Sequence, residues 1–458
     1  NCIPGSEEEI NNMEQAKRIA KQIGYPVMIK ASAGGGGKGM RVVNGDDELY
    51  RGFIEAKSEA KTSFADDRIF LEKYIKNPRH IEIQILADSF GNTIWLGERE
   101  CSIQRRNQKV IEEAPSTISN RKTIQEMGEQ SVSLAKAVKY KSAGTVEFVV
   151  DENENFYFLE MNTRLQVEHP VTEYVTGLDL VEEMIVISLG KKLKLTQDKV
   201  SIKGWAIECR IYAEDPLRDF LPSTGRINKL EIPKSSNIRL DSGISEGSVI
   251  SIYYDPMLAK LIATGKNREE AIKCMREALD QYVLIGPANN ISFLTAIISH
   301  SRFISANIST NFIKEEYPEG YKGILKDVEL EKRLAGIIVV INLKKLRNLD
   351  FGLRTLPNDW CVIINNRYIN VSFKKISNEI YFLKVEEDEF TFEVKKHPNS
   401  SLVFSNINGE PYNIKLRKDN NVFKLDYAGF IINAEIYSKK SADFFRMLPK
   451  KSNTNFSK

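Results

Sequence analysis

Apolar residues recur along the first two thirds of the chain in alternating helical and strand periods. In Glu7–Gln22 they fall at Ile10, Met13, Ala16, Ile19 and Ala20, one face of a helix that Gly24 ends. Tyr25–Ala31 is then a buried strand bearing Lys30. Asp46–Ser63 reads as a helix, Ile69–Tyr74 as a strand running into Ile75, and Asn77–Leu86 as a half-buried alternating strand with His80 at its start. Ser119–Tyr140 is helical through Ile124, Met127, Leu134 and Val138. Thr145–Val150, rich in β-branched residues, and Phe156–Met161 flank the polar cluster Asp151–Asn155, which predicts a hairpin. Helices over Leu178–Leu189 and Asn267–Leu284 bracket strand patterns within Val200–Asp215 and Ser251–Leu261.

Beyond Tyr321 the texture changes. Leu325–Leu346 is one helical, partly apolar segment. From Asp359 onward come eight short alternating strands, with Asn365-Asn366 and Asn408-Gly409 as hairpin turns, which predicts a small β-barrel or sandwich. Lys439–Lys458 reads as a polar, lysine-rich linker tail.

Composition narrows this picture modestly. A chain of 458 residues is too long for one compact domain, and 42% hydrophobic with 28% charged residues fits an ordinary globular protein. A net charge of +3 gives no electrostatic case for nucleic acid. The five cysteines are scattered and odd in number, neither a zinc spacing nor a disulfide framework, so a reducing compartment is expected: the cytoplasm of a bacterium, or the mitochondrial matrix in a eukaryote. The longest apolar run, around Ile337–Ile341, is far too short to span a bilayer, so no membrane role is expected. The start at Asn1 rather than Met reads as a fragment or processed chain.

The chemistry concentrates at the hairpin. Glu147 lies on its first strand, Glu160 ends the second and Asn162 follows, so three oxygen-bearing side chains can converge as hard cations such as Mg²⁺ require. Arg164, Glu168 and His169 come in the next turn. An ordinary hairpin with a solvated acidic edge would explain Glu147 alone, but not this concentration of charge. Gly34–Gly37 precedes Lys38, Gly39 and Met40 and lacks the Ser or Thr of a phosphate loop that opens a helix, so it reads as a mobile glycine lid between two strands. Glu98–Pro115 holds four cations and four acids, either a solvated charged loop or an anion-binding surface. Arg210 lies inside a strand, where it must snorkel or meet an anion.

The run E-M-N-T-R-L-Q-V-E-H-P-V-T-E, Glu160–Glu173, resembles the signature of the biotin carboxylases within the ATP-grasp superfamily. The likeness extends through the glycine lid, F-L-P-S-T-G-R-I at Phe220–Ile227, S-I-Y-Y-D-P-M-L-A-K-L at Ser251–Leu261, and Asn289-Asn290 to roughly Tyr321. It implies an α+β ATP-grasp fold with a biotin carboxylase C-terminal domain: a lid subdomain over 1–75, a catalytic subdomain over 76–199 and the C-terminal domain over 200–322. The helix and β-domain over 323–438 resemble the subunit-contact domain of propionyl-CoA carboxylase alpha subunits, which implies a hetero-oligomer with a carboxyltransferase (beta) subunit.

The resemblance also implies roles. ATP would be held by Lys30, by Gly36 and Gly37 of the lid, by the adenine segment Glu72, Lys73, Tyr74 and Ile75, and by His80, Gln104 and Asn107, the last standing where some members have His. Mg²⁺ or Mn²⁺ would sit on Glu147, Glu160 and Asn162. Bicarbonate would be held by Arg164, Lys109 and the Val167 backbone, with Glu168 as the base. The resulting carboxyphosphate would release CO₂ to biotin, whose ureido oxygen and enolate Arg210 would stabilise. No Met-Lys-Met sequence occurs, so the biotin is expected on a carrier domain outside this chain, and the family's amino-terminal domain is expected before Asn1. Three other readings stay open: an ATP-grasp ligase with a different acceptor, the corresponding component of acetyl-CoA or pyruvate carboxylase, and an inactive truncated chain that only binds a partner.

Overall fold

The computed structural model describes residues 1–6, 9–33, 39–323, 327–349, 357–396, 400–419 and 422–447. The expected lid glycines, Gly36 and Gly37 among them, lie outside the described residues.

The chain opens with a three-stranded antiparallel sheet in the order Met40–Val43, Val27–Ala31, Ile69–Lys73. Two helices, Met13–Ile23 and Asp46–Phe64, cover it over a core of Ile10, Ala16, Ala20, Val27, Ile29, Leu49 and Leu71. The first helix starts at Met13, six residues later than its apolar spacing suggests, because the Asn12 side chain caps it by accepting the Gln15 N–H at 2.9 Å.

The centre of the molecule is an eight-stranded, wholly antiparallel sheet. Its order is Ile238–Ser242, Met257–Gly265, Trp205–Tyr212, Gln108–Ala114, Thr93–Arg105, Arg79–Ala87, Ser142–Val150, Phe156–Asn162. The predicted hairpin is therefore the last pair at one edge, and Arg210 lies on the third strand from the other. Helix Arg121–Ala137 packs over Ile81, Ile83 and Phe148. Helix Arg268–Gln281 packs over Ile207, Leu261 and Ala263.

Two features depart from the sequence reading here. Glu98–Pro115 is not a charged loop. It forms two buried strands joined at Arg106-Asn107, both with positive φ (51° and 64°), and its charges are paired with neighbouring strands and with covering elements, Glu98 with Arg121 and Glu113 with Arg268 among them. A further helix, His169–Thr176, follows the hairpin, with Pro170 in its first turn.

The eight carboxy-terminal strands, Asp359–Ile364 to Phe430–Ser438, close into an antiparallel barrel, the first pairing with the last. Helix Val328–Leu349 packs against it with Leu334, Ala335 and Ile337–Val340 fully buried, an all-round apolar stretch suited to a barrel core. The expected linker tail is corrected over its first half. Lys439–Met447 is a helix, started by Ser438, whose hydroxyl accepts the Ser441 N–H, and anchored by Phe445 on Tyr437 at 4.7 Å between ring centroids and by Arg446 over Tyr368. Lysines on its exposed side masked the few apolar anchors.

Gly336 sits where the barrel helix meets the Phe392 ring, and a β-carbon there would collide with that ring. Gly336→Ala should therefore destabilise the barrel by about 1–3 kcal/mol despite alanine's better helix propensity. Urea unfolding monitored by fluorescence checks this, and a neutral or stabilising change would show that the helix does not pack as described.

Candidate functional site

Register places the site's charges. Directly opposed residues on neighbouring strands share a face. Glu160 opposes Glu147, Glu147 opposes Glu82, and Glu82 opposes Arg99, so four strands contribute a row of three carboxylates ended by a guanidinium. Further along, Gln104 opposes Lys109, Glu112 opposes Glu208, and Arg210 opposes Lys260. The segment after the hairpin, Thr163–Thr176, folds over this face.

Arg99 is fully buried and uses all its nitrogens. Nε donates to Glu82 at 2.5 Å, Nη1 to Gln84 Oε1 at 2.7 Å and Thr172 Oγ1 at 2.9 Å, and Nη2 to Gln166 Oε1 at 3.0 Å and Thr145 Oγ1 at 3.1 Å. Lys109 lies at the centre of three carboxylates: it donates to Glu82, to Glu168 at 2.6 Å and to Glu147 at 3.0 Å. Arg210 donates to Glu168 at 2.8 Å and pairs with Glu112 at 2.5 Å. Glu168 is thus clamped between Lys109 and Arg210, nearly fully buried.

The three expected metal ligands converge. Asn162 Nδ2 lies 3.0 Å from Glu147 Oε1 and 3.3 Å from Glu160 Oε1. His80 Nε2 stands 3.0 Å from the other Glu147 oxygen, and Gln166 donates to Glu147 at 2.5 Å. Burial alone would raise the Glu147 pKa, but His80, Lys109 and Gln166 outweigh it and hold the carboxyl well below the usual range. Glu82 behaves alike: burial pushes it up, and Arg99 and Lys109 bring it down to about 2. A pair of carboxylates beside an amide, with Glu160 and Asn162 reachable from solvent, is a donor set that fits a hard divalent cation.

A cavity of about 560 Å³ opens over this face. It gathers twelve of the expected residues: Lys30, His80, Gln104, Asn107, Lys109, Glu147, Glu160, Asn162, Arg164, Val167, Glu168 and Arg210. Arg164 faces it exposed, its guanidinium donating only to the Leu165 carbonyl at 3.3 Å and free of any carboxylate among the described residues. Lys30 enters from the three-stranded sheet, paired with Glu72. The Val167 carbonyl accepts from Lys260 at 2.8 Å, which fixes that backbone.

The adenine segment does not line this cavity. The Lys73 ammonium is turned away from it and donates to the Gly24 and Tyr25 carbonyls at 2.7 and 3.0 Å. The Lys73 and Tyr74 N–H groups are also taken, by Pro4 and Pro26 carbonyls. The strand Ile69–Lys73 is hemmed in on both sides, which no local pattern reveals. Conversely, sequence reading passed over Glu82, Arg99 and Gln166. The polar alternates Glu82 and Gln84 between isoleucines suggested a solvated face, and only the fold of Thr163–Thr176 makes it a buried one.

Comparison with known proteins follows this geometry. Residues 1–196 match the carbamoyl-phosphate synthase L chain ATP binding domain, residues 208–315 the biotin carboxylase C-terminal domain, and residues 345–451 the propionyl-coenzyme A carboxylase BT domain. The chain is 44% identical over 480 aligned positions to the propionyl-CoA carboxylase alpha chain of Ruegeria pomeroyi, covering 98% of this chain and 70% of that one. The chain belongs to the biotin carboxylase family. It is also 58% identical over 325 residues to the mitochondrial propionyl-CoA carboxylase alpha chain of Mus musculus, a match covering 70% of this chain and 45% of the mouse protein, so it spans under half the length of such relatives. Among solved structures it is similar to the biotin carboxylase domain dimer of Hydrogenobacter thermophilus 2-oxoglutarate carboxylase, in complex with MgADP, ADP and bicarbonate, at TM-score 0.66 and 46% identity, covering 69% of this chain and 70% of that one. The family's fold accounts for the clustering of charge that the hairpin's sequence announced.

The buried row has a stability signature. Glu82 is an acid with a depressed folded-state pKa, so its contribution is present above its ordinary value near 4.5 and is lost as pH falls toward about 2. The melting temperature should drop across that window. Arg99→Met, which leaves Glu82 with Lys109 alone and takes the donor from Gln84, Thr145, Thr172 and Gln166, should cost about 3–5 kcal/mol at neutral pH. Calorimetry from pH 7 down to about 2 checks both; a flat acid profile, or an Arg99→Met protein as stable as wild type, would contradict the account.

Proposed function

We propose that this chain performs the biotin carboxylase half-reaction of an acyl-CoA carboxylase of the propionyl-CoA type. In it, ATP and bicarbonate carboxylate biotin presented on a carrier domain. The observation that supports this best is one cavity lined jointly by Arg164, Glu168, Arg210 and Lys109 beside the Glu147–Glu160–Asn162 cluster.

Each residue then has a part set by its surroundings. Arg164 offers a planar fork for a carboxylate-like anion such as bicarbonate, with Lys109 and the Val167 backbone completing its seat. Glu168, held between Lys109 and Arg210, accepts the bicarbonate proton. The bicarbonate oxygen then attacks the γ-phosphorus and ADP leaves; the carboxyphosphate breaks into CO₂ and phosphate, the phosphate takes the biotin N1 proton, and N1 attacks the CO₂. Arg210 holds the ureido oxygen as negative charge develops there. Lys30 meets the phosphates, with His80, Gln104 and Asn107 along the nucleotide, and the base falls to the remaining backbone groups between Glu72 and Ile75. Glu147, Glu160 and Asn162 would hold Mg²⁺ or Mn²⁺, which supplies charge neutralisation to the phosphate oxygens. The barrel and its helix would seat the carboxyltransferase subunit of a hetero-oligomer.

Glu168→Gln keeps the shape and removes the base. Bicarbonate- and biotin-dependent ATP cleavage by the full-length protein should fall at least about a hundredfold, with ATP binding little changed. Near-normal turnover would remove Glu168 as the base. Glu160→Gln should weaken Mn²⁺ binding on the order of tenfold, followed by electron paramagnetic resonance without any turnover. Unaltered Mn²⁺ affinity would take the hairpin out of the metal site.

A further inference from the structure

Beneath Arg210 lie two carboxylates that the scheme above does not use. Glu112 and Glu208 oppose each other directly on adjacent strands and are both fully buried. Neither Glu208 oxygen has a hydrogen-bond partner among the described residues. Glu112 has no aligned hydrogen bond either, only the ion pair to Arg210 Nη2 at 2.5 Å. Two buried carboxylates facing each other at cross-strand distance cannot both stay ionised. The charged groups around them are Arg210 from the strand of Glu208, Lys260 from the next strand, Lys109 from the strand of Glu112, and Glu168 from the covering segment. Of these, Lys260 is committed to the Val167 carbonyl at 2.8 Å and Asp241 at 3.4 Å, and Lys109 to its three carboxylates. Only Arg210 remains for the pair, and it also serves Glu168.

We propose that Glu112 and Glu208 form a one-proton dyad that positions Arg210 and rations its charge. Glu208, without a cation of its own, carries the proton, and Glu112 stays ionised against Arg210. Both pKa shifts agree in direction: burial pushes Glu208 well above the usual range and Glu112 up to about 7, each raised further by a neighbouring carboxylate. With one proton held, Arg210 divides itself between Glu112 and Glu168 and still presents its edge to the cavity. Losing that proton puts a second negative charge behind Arg210, which draws the guanidinium back from the site. The dyad is thus a positioning device, and its effect on turnover rests on the biotin carboxylase reading given above.

The sign of the pH effect follows. The competent state is the one-proton state, so it is lost as pH rises through the dyad's second ionisation. Glu208→Gln fixes the neutral partner in place. It should leave turnover at neutral pH within about threefold of wild type and the KM for ATP unchanged, and should remove an alkaline limb from the kcat profile. Glu112→Gln takes away the charge that holds Arg210 and should lower kcat by about ten- to a hundredfold at every pH. Independently of activity, infrared difference spectra of the full-length wild type and Glu208→Gln proteins at neutral pH should differ by one deuterium-sensitive stretch of a protonated carboxyl. If Glu208→Gln does not fold, Glu208→Met serves for the same two measurements. Loss of the stretch without ATP cleavage in either protein would support the dyad while counting against the functional reading. An identical carboxyl stretch in both proteins, or an unchanged alkaline limb in an active variant, would overturn the dyad.

Discussion

The site depends on one guanidinium. Three glutamates stand shoulder to shoulder on adjacent strands, an arrangement in which like charges repel at every step. Arg99 terminates the row, neutralises Glu82, and at the same time bonds Gln84, Thr145, Thr172 and Gln166. Those partners lie on two neighbouring strands, on the covering helix and in the turn before it. Charge compensation and tertiary closure are therefore the same interaction. A lysine could supply the charge but not five directed bonds.

Lys109 and Arg210 repeat the logic one layer out. Each is shared among carboxylates: Lys109 among Glu82, Glu147 and Glu168, and Arg210 between Glu112 and Glu168. Such sharing keeps Glu168 oriented, and it leaves Arg164, which has no carboxylate partner among the described residues, as the open cation for an incoming anion. Because Lys109, Glu147 and Arg210 belong to one continuous sheet, their spacing is set by strand geometry rather than by loops.

Much of this was legible in the residues. Alternation located the hairpin and all eight barrel strands within a few positions, and Glu147, Glu160 and Asn162 could be placed together because a hairpin has only one register that pairs them. The turn at Arg106-Asn107 and the burial of Glu98, Arg99 and Glu100 could not, since charged residues in a strand look solvated until a distant segment covers them. Arg99 and Gln166 were missed for that reason. That the Lys73 ammonium goes to the carbonyls at Gly24 and Tyr25 could not be read locally either, since the contact joins residues about fifty positions apart. The helix at Lys439–Met447 hid behind its lysines because two aromatic contacts suffice to dock it.

The closed barrel has a consequence for association. Closure satisfies the backbone donors and acceptors of the first and last strands, Asp359–Ile364 and Phe430–Ser438, against each other. No open strand edge is left there for another chain to extend. Whatever the barrel binds must therefore be recognised through side chains on its outer wall, its turns or the docked helix ending at Met447, where Phe444 and Met447 stand exposed. Recognition of that kind is specific to surface residues and can change between relatives while the barrel stays intact.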